Sequence, residues 1–132
     1  MMKIMIVDDE MDIEPLFRQR FRREIRDGLI ECQFCFSAED ALNYLNSASA
    51  ADIVLILSDI NMPGMNGLEL LRILKEKYSH LTVFMVTAYD DEEKYQKALA
   101  YGADRYLTKP IDFEKLKAEV LEFSQKMRSH NA

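Results

Sequence analysis

Apolar residues follow two different patterns along this chain. Short continuous apolar runs, rich in β-branched residues, alternate with longer stretches in which apolar residues recur every three or four positions. The continuous runs predict strands, and their lack of polar alternation is typical of parallel strands that are covered on both faces. The predicted strands are Lys3–Val7, Ile30–Phe36, Ile53–Ser58, Thr82–Val86 and Arg105–Leu107.

A helical pattern follows each predicted strand. The first has apolar residues at positions 13, 17, 21 and 25, with Asp12 as its predicted N-cap and Gly28 as its end. The fourth, about residues 91–101, is mostly polar, so we expect it to be weakly anchored. The others are predicted to begin near Ser37, Gly67 and Asp112. Five βα units in succession predict an α/β fold, a doubly wound three-layer sandwich around one parallel sheet.

Length and charge narrow the possible functions. The 132 residues fit one domain, which we assign to residues 1–128, with a loose tail at 129–132. A formal net charge of −6 argues against general binding to nucleic acid or anionic lipid. The arginines within residues 18–26 are a local exception, and they form either a solvated helix face or a docking surface for an acidic partner.

The sequence gives no indication of membrane insertion or export. Its longest apolar run, Ile53–Leu57, is far shorter than the roughly 20 residues that a membrane span needs. The acidic residues at positions 8–10 come too early for a secretory signal. We therefore expect the protein to be cytoplasmic.

Cys32 and Cys35 form a C-x-x-C pair, a spacing found in redox and zinc sites. Both lie on one predicted strand, so their thiols are expected to point to opposite faces of the sheet. The only histidines, His80 and His130, are isolated and cannot complete a zinc site. We interpret the two cysteines as packing or exposed residues.

Reactive side chains follow four of the predicted strands. Asp8 and Asp9 follow the first strand, Asp59 the third, Thr87 the fourth and Lys109 the fifth. The working site of an open α/β sheet lies outside the carboxyl ends of its strands. We therefore expect these carboxylates, the hydroxyl and the amine to meet at one edge of the sheet.

Such a set favours phosphoryl chemistry. Crowded carboxylates repel one another unless a cation joins them, and Mg²⁺ prefers oxygen ligands while keeping waters that a phosphate oxygen can replace. A metal ion, an ammonium and a hydroxyl can together neutralise phosphoryl oxygens, and aspartate can serve as the nucleophile. Taken singly, each of these residues is as easily explained by turns, helix caps or packing.

The motifs around these residues match a known family. They are Asp8-Asp9, Asp59-Ile60-Asn61-Met62-Pro63-Gly64-Met65-Asn66-Gly67, Thr87-Ala88 and Tyr106-Leu107-Thr108-Lys109-Pro110. In this order, and each at a strand exit, they resemble the receiver domain of bacterial two-component response regulators over roughly residues 3–127. The resemblance implies a flavodoxin-like (βα)5 sandwich with the sheet order 2-1-3-4-5.

The resemblance also implies how the site works. Asp59 would be the phosphoacceptor. Asp9, Asp59 and the backbone carbonyl of Asn61 would bind Mg²⁺ (or Mn²⁺) directly, while Asp8 would act largely through a coordinated water. Lys109 would contact a phosphoryl oxygen, and its bond to the following proline would be cis.

Two residues would make the domain a switch, and a third would set how long the phosphorylated form lasts. By the same resemblance, Thr87 would swing toward the phosphoryl group and Tyr106 would rotate inward behind it. Tyr89 stands where side chains of the family often tune hydrolysis of the phosphorylated form.

The function implied is that of a signalling switch rather than an enzyme. Asp59 would receive its phosphoryl group from the phosphohistidine of a sensor histidine kinase or a histidine phosphotransfer protein. The domain would then signal to an unknown effector or fused output domain, and it would itself bind neither nucleic acid nor a membrane.

Two alternatives stay open. One is a receiver-shaped binding module that signals without phosphorylation, which the intact set of acids, hydroxyl and lysine argues against. The other is a Mg²⁺-dependent phosphohydrolase of the haloacid-dehalogenase type. Such an enzyme would need D-x-D where this chain has Asp8-Asp9-Glu10, and it would also need a substrate cap.

Overall fold

The computed structural model describes residues 2–88 and 92–131, and within them it contains one five-stranded sheet. The strands are β1 Met2–Val7, β2 Ile30–Cys35, β3 Ile53–Asp59, β4 Thr82–Thr87 and β5 Arg105–Thr108. The helices are α1 Ile13–Arg20, α2 Arg22–Arg26, α3 Ala38–Leu45, α4 Gly67–Lys77, α5 Glu92–Ala100 and α6 Phe113–Asn131, with a 3₁₀ helix at Ala48–Asp52. All neighbouring strands pair in parallel, in the order β2-β1-β3-β4-β5, which confirms the predicted fold.

Each face of the sheet has its own hydrophobic core. Met5 and Val7 of β1 pack into the core beneath α3, α4 and α5, whereas Ile4 and Ile6 pack into the core on the side of α1 and α6. This alternation is the ordinary period of a strand, and it explains why the strands contain runs of consecutive apolar residues. The sheet is therefore the middle layer of three, as predicted.

The two cysteines lie on opposite faces, which confirms their predicted orientation. Cys35 is buried in the core on the α3 side, and Cys32 is half-buried against the other core. Burial is the main reason that the pKa of each thiol is raised to about 11. Both are free thiols whose raised pKa favours the protonated form at neutral pH, which agrees with their interpretation as packing residues.

The first helical segment departs from its prediction. One continuous helix was expected, but the backbone leaves helical geometry at Phe21, with φ −102° and ψ 17°, and so divides it into α1 and α2. Phe21 stacks on Phe17, and both rings meet Phe113 edge-on, so packing of the aromatic rings accompanies the break. Asp12 stands at the N-cap position but its side chain makes no cap hydrogen bond, because its own backbone is already helical. Gly28 has a φ of +74° and follows the end of α2, as expected.

Some arginines of α1 and α2 make contacts within the domain. Arg18 pairs with Glu14 at 3.0 Å and lies over the ring of Phe34, and Arg20 lies over the ring of Phe113. Docking of an acidic partner there remains a hypothesis.

The last two helices complete the sandwich. Helix α5 is sparsely anchored, since Ala98 is its one buried residue in the described part of the chain, in keeping with its polar sequence. Helix α6 continues to Asn131 and so reaches into residues 129–132, for which we expected a loose tail. Within the described residues, no helix is long and apolar enough to cross a membrane.

Candidate functional site

The parallel register of the sheet brings the predicted site residues to one edge. Val7 lies opposite Ser58, and Asp59 lies opposite Val86, so Asp8 and Asp59 leave neighbouring strands side by side. On the next pair of strands Thr87 lies opposite Thr108, and the backbone N–H of Lys109 donates to the Thr87 carbonyl at 2.7 Å. Strand order alone therefore places Asp59 between Asp8 and Thr87.

The acidic residues gather as the sequence predicted. Asp8, Asp9 and Asp59 each place a carboxylate oxygen within 4.8 Å of the others. Asp8 and Asp59 are buried, at 4% and 5% exposure, whereas Asp9 is exposed. The backbone N–H of Glu10 donates to Asp8 Oδ1 at 2.9 Å, and that of Asn61 donates to Asp59 Oδ1 at 3.3 Å. An all-oxygen set of this kind suits a hard cation such as Mg²⁺.

Lys109 joins the two buried carboxylates. Its Nζ lies 3.0 Å from Asp8 Oδ2 and 3.3 Å from Asp59 Oδ2, with the Oε1 of Glu10 farther away at 3.8 Å. The peptide bond between Lys109 and Pro110 is cis, which confirms the geometry implied by the resemblance. The ammonium therefore approaches the carboxylates from the β5 side of the sheet.

Burial and charge shift the pKa values in this group. Burial is the largest cause of the raised pKa of Asp59, the charge of Asp8 adds to it, and Lys109 opposes both. For Lys109, burial by itself lowers the pKa, but hydrogen bonds and charge interactions with Asp8 and Asp59 outweigh it, so its pKa is raised. The raised pKa of Lys109 keeps its ammonium protonated at neutral pH. The raised pKa of Asp59 means that ionising this carboxyl group lowers the stability of the folded state.

This shift predicts how an Asp59→Asn change alters stability. Between the ordinary pKa of an aspartate and the higher value of Asp59, the folded state binds more protons than the unfolded chain, so stability falls as pH rises through that window. The variant lacks this loss, and it is expected to gain stability relative to wild type as pH rises from acid to neutral. Urea unfolding at several pH values with a chelator present measures the effect. A stability difference that stays constant with pH would contradict the assigned origin of the shift.

Thr87 and Asn61 connect the site to a residue that the sequence did not indicate. Thr87 is fully buried, and its Oγ1 accepts a hydrogen bond from Asn61 Nδ2 at 3.3 Å. The Nζ of Lys94, in the first turn of α5, donates to Asn61 Oδ1 at 2.6 Å. Lys94 is one of two lysines in a polar helix, and either could face solvent, so no pattern in the sequence singles it out.

The loop after Asp59 is shaped by Gly67, the last residue of the motif that begins at Asp59. The N–H of Gly67 donates to the carbonyl of Ile60 at 2.8 Å. A Cβ at position 67 would lie only 2.0 Å from the backbone oxygen of Asp59, so no other residue fits without moving the chain. Glu39 of α3 was not predicted to take part, yet its Oε1 accepts from the N–H of Met65 at 3.2 Å and holds the far side of the loop.

Tyr106 is half-buried and packs edge-on against Tyr95 of α5, with ring centroids 4.9 Å apart. It thus connects β5 to the sparsely anchored helix, a position suited to its predicted role in switching. Tyr89 lies outside the described residues.

Comparison with known proteins agrees with this geometry. The family model for the response regulator receiver domain matches residues 4–121. The chain belongs to this family. It is a receiver domain of the two-component response regulators, as the sequence motifs implied.

Relatives of this receiver domain include both regulators and a kinase. It is 33% identical to the DNA-binding transcriptional regulator NtrC of Proteus hauseri, over 98% of this chain and 27% of that protein. It is 33% identical to the transcriptional regulatory protein MalR of Bacillus subtilis, over 99% and 54%. It is 34% identical to the sensor histidine kinase RcsC of Salmonella typhi, over 99% and 13%. The chain spans about half or less of the length of these relatives.

Solved structures show the same fold. A CheY-like response regulator receiver domain protein from Methanospirillum hungatei JF-1 superposes with a TM-score of 0.84 at 27% identity, covering 98% of both chains. The signal receiver domain of an HD domain-containing protein from Pseudomonas fluorescens Pf-5 gives a TM-score of 0.85 at 25% identity, covering 97% of this chain and 98% of that one.

Proposed function

We propose that this receiver domain accepts a phosphoryl group on Asp59 and switches conformation in response. The observation that carries the proposal is the buried pair of Asp8 and Asp59 with the Nζ of Lys109 within 3.3 Å of both. A buried carboxylate with a cation beside it and a hydroxyl on the next strand is suited to attack a phosphorus atom and to stabilise the product.

Asp59 is a better candidate for the nucleophile than either neighbouring acid. Asp8 has one oxygen occupied by the N–H of Glu10 and the other by Lys109, both at about 3 Å, and Asp9 is exposed. The contacts of Asp59 are longer, at 3.3 Å on each oxygen. Its strand is central, so an incoming phosphoryl group has charged or hydroxyl partners on both sides.

A divalent cation belongs to this proposal. Asp8, Asp9 and Asp59, together with the backbone carbonyl of Asn61, would hold Mg²⁺ or Mn²⁺. When bound, the ion supplies positive charge that offsets the crowded carboxylates and the phosphoryl oxygens.

The residues of the chain carry out the transfer in the following way. An oxygen of ionised Asp59 attacks phosphorus, and the bond from phosphorus to the donor's leaving atom breaks, with its electron pair passing to the leaving group. No base is needed, because the nucleophile is already ionised. Lys109 neutralises one phosphoryl oxygen, and the Thr87 hydroxyl donates to another. The added charge of about −1.5 to −2 then biases the Thr87–Tyr106 side of the domain toward a second arrangement.

The partners are part of the proposal. We propose a phosphohistidine of a sensor histidine kinase or a histidine phosphotransfer protein as the donor, which the similarity to RcsC supports. The signal would pass to an output domain or separate effector, as the names of NtrC and MalR suggest for those proteins. In this scheme the domain is a switch rather than an enzyme, acts in the cytoplasm, and contacts neither nucleic acid nor membrane.

Intact mass after incubation with acetyl phosphate tests the proposal directly. The expected result is a gain of one phosphoryl group that needs Mg²⁺ or Mn²⁺ and is removed by hydroxylamine, which cleaves acyl phosphates. No gain would overturn the proposal and favour the binding module that signals without phosphorylation. Release of phosphate from many small phosphomonoesters would instead favour a phosphohydrolase.

Lys109→Met separates the two roles of the ammonium. We expect this variant to bind Mg²⁺ more tightly, because the charge of Asp8 and Asp59 is no longer compensated. We also expect acetyl phosphate to phosphorylate it more slowly, by roughly 30-fold, because a hydrogen bond from a charged donor to the phosphoryl group is lost. Calorimetric titration of Mg²⁺ and the phosphorylation rate at saturating metal measure these effects.

Lys77→Met is the matched control, since Lys77 is an exposed lysine in the last turn of α4. It removes the same charge away from the site, and neither quantity should change. Weaker Mg²⁺ binding by Lys109→Met would show that the lysine does not compete with the cation.

A further inference from the structure

Lys94 lies outside the motifs of the site, yet a single residue, Asn61, connects it to the hydroxyl of Thr87. Its Nζ donates to Asn61 Oδ1 at 2.6 Å, and the same amide donates from Nδ2 to Thr87 Oγ1 at 3.3 Å. The backbone N–H of Asn61 meanwhile donates to Asp59 Oδ1. Asn61 thus contacts the nucleophile through its backbone and the hydroxyl through its side chain, with Lys94 behind it.

The ammonium fixes the direction of both hydrogen bonds. An ammonium can only donate, so the oxygen of the Asn61 amide must face Lys94 and its NH₂ must face Thr87. Because Thr87 Oγ1 accepts there, its single proton is directed to an acceptor other than Asn61. With an apolar residue at position 94 the amide could turn over, and Thr87 would then donate to Asn61 instead.

Burial makes this orientation matter. Thr87 is fully buried and Lys94 is half-buried, so bulk water has little access to exchange partners with the hydroxyl. A chain of hydrogen bonds headed by a charge is polarised along its length, which strengthens the last donor. The last donor in this chain is the hydroxyl that would face a phosphoryl oxygen.

We infer that Lys94 is a positioning residue for phosphoryl transfer to Asp59, acting through Asn61 to keep the Thr87 hydroxyl a donor toward the phosphoryl group. The inference rests on the proposed function, and it adds a residue of α5 to the groups that govern the reaction. Since α5 is sparsely anchored, the same contact also ties the first turn of that helix to the site.

The test compares phosphorylation rates of single variants with acetyl phosphate and saturating Mg²⁺. Lys94→Met is expected to slow phosphorylation by roughly threefold to tenfold, the range for one hydrogen bond to a charged group. Lys94→Arg keeps the donor and should restore most of the rate. Lys97→Met is the matched control, because Lys97 lies on the same helix, is 53% exposed and pairs with Glu93. Equal slowing by Lys97→Met would assign the effect to net charge and overturn the inference.

A double variant tests whether Lys94 acts through Asn61. In an Asn61→Ala background, which keeps the backbone carbonyl and N–H, Lys94→Met should add no further slowing. The same slowing in both backgrounds would show that the ammonium acts directly on the phosphoryl group and would overturn the inference. A wild-type protein that accepts no phosphoryl group would overturn the proposed function and this role with it, whereas equal rates for a phosphorylated wild type and Lys94→Met would overturn this inference alone.

The resting protein offers a second readout. The Asn61 side-chain NH₂ gives its own NMR signals, and their positions report its hydrogen bonds. Lys94→Met should move them, and Lys97→Met should leave them in place. Unmoved signals in Lys94→Met would overturn the positioning role whether or not Asp59 is phosphorylated.

Discussion

Asp59→Asn is expected to take up no phosphoryl group from acetyl phosphate under conditions in which the wild-type protein is fully modified. The amide has nearly the same shape as the carboxylate, but it is neutral and lacks the anionic oxygen that attacks phosphorus. The loss should exceed about 100-fold in rate, because a neutral amide cannot take the place of the carboxylate as nucleophile. Intact mass over a time course gives the rate for both proteins.

Asp52→Asn is the control for this change. Asp52 is exposed and immediately precedes the first residue of β3, whereas Asp59 is the last residue of that strand. The Asp52→Asn substitution therefore makes the same chemical change far from the site. It should be phosphorylated like wild type. A full mass gain in Asp59→Asn would mean that Asp8 or Asp9 accepts the group, and peptide mapping after hydroxylamine treatment would identify which one.

The sequence was sufficient to predict the strands of the sheet and the residues that gather at the edge where the strands end. Strand prediction worked because a parallel strand between two helical layers has no solvent-facing side, as Leu55 and Ile56 illustrate, both with 0% exposure. Each strand boundary falls within one residue of its prediction. Once the strands were known, the residues at their exits followed, because parallel strands bring all their carboxyl ends to one edge.

What the sequence could not predict depends on how the helices are rotated and joined. Lys94 reaches Asn61 only because α5 turns its third residue toward the β3–α4 loop, and Glu39 reaches Met65 from α3 across 26 positions of sequence. A hydrophobic pattern marks the apolar face of a helix, but it does not show which of the polar residues contacts a loop. The break at Phe21 likewise coincides with tertiary packing that no local pattern shows, since the Phe21 ring meets Phe113 from the other end of the chain.

Gly67→Ala tests the tight turn that holds Asp59 in place. Gly67 is the first residue of α4, where alanine would ordinarily be a better helix former than glycine by up to about 1 kcal/mol. The structure predicts the opposite sign, because the added Cβ would meet the Asp59 carbonyl oxygen at 2.0 Å and Ile60 Cα at 2.7 Å. These are backbone atoms that cannot rotate away, so the chain must shift. We expect a loss of about 3 kcal/mol in the free energy of unfolding, measured with urea.

Gly28→Ala is the control that shows the effect of replacing a glycine where an added Cβ meets no other atom. Gly28 has a φ of +74° but nothing within 4 Å of an added Cβ, so its replacement should lower stability by only about 1 kcal/mol, through strain in the left-handed region. Because the collision at position 67 involves the residue that would be phosphorylated, Gly67→Ala should also slow phosphorylation at temperatures where circular dichroism shows it to be folded. Gly28→Ala should not. If Gly67→Ala proved as stable as wild type and reacted as fast, the close approach of α4 to Asp59 would not be what positions the nucleophile.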